Sequence, residues 1–160
     1  MSTSFLDDIT HMIAALKKFE LDIREALRYG GDTNTYEQVC AGCIAGAYTM
    51  FVLPNSVIIA EVAEYPTHKV FHQFIACGDL AELIEAQNGL LIREAKLRGA
   101  TALTLAGRKG WLKALEPHGW RSNLVLMRKE INDGQDLQDG NETAGGQRPC
   151  EGLAGGVRPS

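Results

Sequence analysis

Lys69-Val-Phe-His-Gln-Phe-Ile-Ala-Cys77, followed by Gly78-Asp79-Leu80-Ala81-Glu82, a helical run to about Arg98 and Thr101-Ala-Leu-Thr-Leu-Ala106, decides the fold. A strand, a helix and a second strand of these lengths make a parallel β-α-β unit. Its helix N-terminus lies at the carboxyl edge of the sheet, where ligands bind. Asp79 stands where it can cap that helix, and Glu82, three residues on, can complete a capping box. Amides that an anion would use are then taken, with two carboxylates beside them. Within the helix Leu83, Ile84, Leu90, Leu91 and Ala95 face the sheet, Glu82, Glu85, Arg93 and Lys96 face outward, and Gly99 suits the position after the last turn.

Downstream, Gly107-Arg-Lys-Gly110 turns the chain into a short helix, Trp111–Leu115. Pro117-His-Gly-Trp120 ends it, and Leu124-Val-Leu-Met-Arg-Lys-Glu-Ile131 reads as a last strand. Upstream, Ser4 can cap a first helix with Asp7 three residues later. Phe5, Ile9, Met12, Ile13, Leu16 and Phe19 recur at helical steps, and the stripe continues through Ile23 and Leu27 to Gly30-Gly31-Asp32. His11, near the apolar side, reads as structural or surface. A second helical stretch opens at Thr35 and runs to about Ala45. Tyr48–Leu53, Val57–Tyr65 and Lys69–Cys77 then form three strands joined by Pro54-Asn55-Ser56 and Pro66-Thr67-His68, links short enough to require an antiparallel meander. Both faces of the second strand start apolar, so helices should cover both sides of the sheet.

At 45% hydrophobic residues the chain can fill one core, and a net charge of −4 argues against nucleic acid as the main partner. No apolar run reaches the length of a membrane span, and Met1–Phe5 lacks a secretory signal's features, so an unprocessed cytosolic protein is expected. Cys40-Ala-Gly-Cys43 has redox or metal spacing, but no second pair or close histidine completes a zinc site; two small buried residues on a helix is the plainer reading, and no metal is expected. Residues 1–131 form the expected domain. Residues 132–160, which include Cys150, are Gly-rich and polar, and form a flexible tail that stays disordered unless docked on a partner.

Helices, a three-strand meander, then β-α-β-α-β is an α/β (α+β, mixed-sheet) layout that resembles the GNAT acetyltransferase superfamily over about residues 1–131. Ala114-Leu-Glu-Pro-His-Gly-Trp120 looks like the family's A-x-x-x-x-x-G-F ending, with Trp120 replacing Phe. Leu105-Ala-Gly-Arg-Lys-Gly-Trp-Leu-Lys-Ala-Leu115 is similar to GNAT-like proteins of tailed bacteriophages, some encoded among head and connector genes.

The resemblance implies acetyl-coenzyme A as cofactor, its pyrophosphate wrapped by a Q/R-x-x-G-x-G/A loop through free amides and the helix dipole. Only Gly78 of that loop survives, followed by Asp79, Leu80, Ala81 and Glu82, so a pyrophosphate would meet like charge. The position where many members carry a proton-donating tyrosine holds Leu115. Glu61, Glu64 and His72 lie on central strands and could serve as a base, or be a solvated edge residue or a hydrogen-bonded strand histidine. No residue is assigned as catalytic. Arg108, Lys109, Trp111, His118, Trp120 and Arg121 are read either as core filler with solvated cations or as an anchor for a protein partner.

The leading expectation is a non-catalytic binding or assembly protein of a bacteriophage without cofactor. It would engage a protein partner, phage structural proteins included, through the tail and the basic-aromatic residues, being made in the host cytoplasm and incorporated in the virion. The alternative is a divergent acyltransferase holding acetyl-coenzyme A through backbone groups of Ala76, Cys77 and Gly78. A small protein that inhibits a host enzyme is a third possibility that no motif selects.

Overall fold

The N-terminal apolar stripe folds as two helices rather than one. In the computed structural model, which describes residues 5–131, α1 (Phe5–Lys18) and α2 (Glu20–Tyr29) meet at Phe19, whose φ −100, ψ 13 leaves the helical well. The stripe survives the break: Leu16, Phe19, Ile23 and Leu27 are all buried in one cluster. The expected cap at Ser4 lies outside the described residues. α3 (Tyr36–Ile44) begins with a full capping box, in which the Thr35 hydroxyl accepts from the Gln38 amide and the Gln38 side chain accepts from the Thr35 amide.

Four strands follow in sheet order: β1 (Thr49–Val52), β2 (Ser56–Glu64), β3 (Lys69–Gly78) and β4 (Ala102–Leu105). β1, β2 and β3 form the antiparallel meander, and β4 joins β3 in parallel. One face, with Val57, Ile59 and Ile75, packs under α1–α3. The other, with Ile58, Ala60 and Phe71, packs against Leu83, Leu91 and Ala95 of the β3–β4 crossover. The two-sided cover expected from β2 is therefore present. A β-bulge interrupts the meander: Ala60 pairs with Gln73 but Ile59 pairs with Ile75, leaving Phe74 as the extra residue.

The crossover helix is also divided, into α4 (Leu80–Asn88) and α5 (Leu90–Leu97). Gly89 sits between them at φ −122, ψ −80, outside the helical region. Leu83, Leu91 and Ala95 are buried as expected, and Gly99, at φ 74, closes α5. After β4 come α6 (Lys109–Leu115) and a 3₁₀ turn, Glu116–His118.

The expected closing strand does not form. Leu124–Ile131 has no regular secondary structure, and Leu124, Leu126 and Met127 are 90%, 96% and 88% exposed. Only Val125 and Ile131 of its eight residues are β-branched, so little holds it extended without a pairing partner. The compact unit that contains the sheet runs to Asn123, and the tail, residues 132–160, lies outside the described residues. No helix among the described residues is long and apolar enough to cross a membrane.

Candidate functional site

β3 outruns β4. Their parallel ladder ends with Gln73 beside Leu105, so Phe74 to Gly78 continue with no β4 residue alongside. This free end of β3 contains Ala76, Cys77 and Gly78, the residues named above for the acyltransferase alternative. Ala76 is half-buried toward α4 and α5, Cys77 is half-buried toward α1–α3, and Gly78 leads into α4. Burial, reinforced by the Asp22 charge, pushes the Cys77 thiol up to about 12, so it is no nucleophile at neutral pH.

Gly78 is required by close packing. It pairs with Ser56 across the β2–β3 ladder at φ 118, and a Cβ there would collide with the Asn55 carbonyl and the Ser56 backbone. The approach brings the β1–β2 turn onto the start of α4. Asp79 caps the helix, its carboxylate accepting the Glu82 amide at 3.0 Å. Glu82 does not complete the expected capping box. The Asp79 amide donates instead to Ser56 Oγ at 2.8 Å, because the bulge has delivered that hydroxyl to it. Glu82 turns to the β1–β2 turn: Oε2 accepts from the Asn55 amide at 3.0 Å and Ser56 Oγ at 2.8 Å, and Oε1 accepts from Asn55 Nδ2 at 3.0 Å. Asp79 thus caps the helix start as expected, while the Glu82 carboxylate is taken up by the β1–β2 turn instead of by helix amides.

Hydrogen bonds from Ser56 and Asn55 hold the Glu82 carboxyl below its ordinary range, the Ser56 bond contributing most, against burial and the Asp79 charge. The folded value is the lower one. The contribution is therefore fully present above the unfolded glutamate value and lost as pH falls through the depressed value. Urea unfolding of wild type and Glu82→Gln between pH 7 and 3 should show the wild type losing its advantage over the variant as acid is added. A constant gap would contradict the arrangement.

On the α1–α3 face, Glu61 pairs with His72 across the ladder, and His72 with Thr104. His72 Nδ1 lies 2.9 Å from Thr104 Oγ1, and burial lowers its pKa against the opposing pull of Glu61. His72 is therefore a hydrogen-bonded strand histidine whose burial favours the neutral ring. Glu64 is an edge residue paired with Lys69 at 2.6 Å. Leu115, where the resemblance places a proton donor, is 3% exposed.

Contacts of the basic-aromatic residues run in separate directions. Arg108 turns to α2, 3.3 Å from Glu25 and with its guanidinium 3.7 Å from the Tyr29 ring centre. Trp111 packs against the core on the α4–α5 side. His118 Nδ1 lies 3.3 Å from Asn88 Nδ2 at the end of α4. Trp120 is half-buried, while Lys109 and Arg121 are exposed. Cys43 is buried, with its thiol pushed up to about 11 mainly by that burial, and Cys40 is half-buried. Among the described residues no three or more His, Cys, Asp or Glu side chains gather as a metal site.

Sequence reasoning missed Asn55 and Ser56. A hairpin counted straight from its turn would put Ser56 opposite Cys77; the bulge at Phe74 moves it opposite Gly78. The only sequence signal was the turn-forming Pro54-Asn55-Ser56 itself.

No family model matches the chain, and no curated protein does. Among solved structures it is similar to an acetyltransferase of Trypanosoma brucei, at 14% identity and TM-score 0.47, over 69% of this chain and 94% of that one. It is also similar to a possible acetyltransferase of Clostridium difficile 630, at 10% identity and TM-score 0.45, over 81% and 95% of the two chains. A Thermus thermophilus protein is similar at 17% identity and TM-score 0.45, over 71% and 92%.

Proposed function

We propose that this chain is a binding module, an acetyltransferase-like layout that works without coenzyme A. The observation carrying the reading is the doubly acidic start of α4, where Asp79 takes the Glu82 amide and Glu82 is tied to Asn55 and Ser56. A diphosphate needs those positions as bare donors and would instead face two carboxylates. The residues present do not fit that group. Leu115 removes the hydroxyl that would protonate a leaving thiolate.

Its partner is a protein, and the reading places that partner among the structural components of a bacteriophage, with synthesis in the host cytoplasm and incorporation in the particle. Support comes from the phage-like run Leu105–Leu115. Exposed Lys109 and Arg121, with residues 132–160, are the segments assigned to partner contact.

One observation favours a second reading. β3 extends past β4 from Phe74 to Gly78, leaving backbone beside Ala76, Cys77 and Gly78 where the thioester arm of acetyl-coenzyme A would run in a divergent acyltransferase. Calorimetric titration with acetyl-coenzyme A separates the two. The binding-module reading expects no saturable heat up to millimolar ligand and no acetylation of any amine offered. A micromolar Kd with turnover would overturn it.

A further inference from the structure

We infer that the β1–β2 turn carries a carboxylate-binding site of its own, and that Glu82 is its built-in occupant. The donors belong to the turn rather than to the helix dipole. The Asn55 amide and Ser56 Oγ converge on one oxygen at 3.0 and 2.8 Å, and Asn55 Nδ2 holds the other at 3.0 Å, a two-oxygen grip suited to a planar carboxylate. Ser56 is oriented for this task. Its oxygen accepts the Asp79 amide at 2.8 Å, so its single proton is free to donate, and Glu82 Oε2 at 2.8 Å is a nearer acceptor than the Asp79 carbonyl at 3.3 Å. Ser56 is fully buried and pairs with Gly78, which fixes the hydroxyl in place. Asn55 is held by the tight turn closed from the Leu53 amide to the Ser56 carbonyl at 2.9 Å. The cradle is thus assembled by the sheet, and the side chain of α4 enters it as a ligand would.

Truncating that side chain should leave the donors in place and open the site to small free carboxylates such as formate and acetate. The nearby Asp79 carboxylate, committed to the Glu82 amide, sets the selectivity. It disfavours multiply charged anions, so formate and acetate should outcompete phosphate. The inference rests on the binding-module reading and deepens it, since it identifies what holds the second carboxylate beside the start of α4.

The test uses Glu82→Ala in the full chain, unfolded by heat or urea in formate, acetate, phosphate or chloride at one ionic strength. Formate at about ten times its dissociation constant should raise the folded-to-unfolded ratio of Glu82→Ala about tenfold. The same salt should leave wild type and Glu82→Gln, whose side chains still fill the cradle, unmoved. Ser56→Ala combined with Glu82→Ala should abolish the response. If Glu82→Ala alone is too unstable to purify, refolding yield against formate concentration reads the same effect. Equal responses in all salts, or in wild type and variant alike, would overturn the site. Acetyl-coenzyme A binding by the wild type fails the binding-module reading without touching this result, so the two outcomes stay distinct.

Discussion

Gly78→Ala should lower the stability of the fold by about 3–5 kcal/mol, a sum of backbone strain and overpacking. Gly78 combines two demands that no other residue type meets. Its φ of 118 lies where a side chain is strained, and the space a Cβ needs is already taken by the Asn55 carbonyl and by Ser56 Cα and Oγ. The obstructing atoms are mostly backbone of a tight turn and cannot swing aside. Gly99 and Gly119 separate the two contributions, because they have φ 74 and 87 with nothing within 4 Å of the added carbon. Alanine at either should cost about 1 kcal/mol, the conformational part alone. Urea midpoints of the three variants give the comparison, and a Gly78→Ala protein as stable as Gly99→Ala would refute the close approach. Displacing the turn would also pull Asn55 and Ser56 away from Glu82, so Gly78→Ala should weaken the acid-dependent term as well.

The second large effect concerns a buried amide pair. Gln87 Nε2 on α4 donates to Gln73 Oε1 on β3 at 2.9 Å, with the residues 1% and 0% exposed. The other two amide atoms, Gln73 Nε2 and Gln87 Oε1, have no hydrogen-bond partner among the described residues. Gln87→Leu leaves both polar atoms of Gln73 unsatisfied in the core and should cost about 2–4 kcal/mol. The double change Gln73→Leu with Gln87→Leu removes every unsatisfied atom at once and should be more stable than either single variant. A coupling of about 1–3 kcal/mol is expected from the double-mutant cycle. Strict additivity would mean that the two amides do not act as a unit. The pair stands where β3 and β4 part, so its loss should also loosen the free end of β3, measurable as faster amide exchange from Phe74 to Gly78.

Much of the architecture was legible in local pattern. Alternating apolar residues, Pro-containing links and capping residues require only near neighbours, and they placed the meander, the crossover and the cap at Asp79. The helix breaks at Phe19 and Gly89 were not legible, because the apolar stripe runs through both. The closing strand was overread for a related reason: residue pattern shows what a segment can pair with, whereas a strand exists only where a neighbour supplies its hydrogen bonds. Of the basic-aromatic residues, Trp111 and Arg108 had uses inside the fold that no spacing reveals, one in the core and one on Tyr29 and Glu25.

Composition and order of residues were enough to establish a mixed α/β domain whose β3–α4 junction carries acid, Asp79 and Glu82, directly after Gly78. Which atoms that acid meets was a tertiary decision. One extra residue at Phe74 slides the hairpin register by a single position, bringing Ser56 against Gly78 and turning Glu82 outward from its own helix to the neighbouring turn. Register is set by long-range pairing over the whole sheet, so a bulge in one strand decides contacts between side chains that lie far apart along the chain.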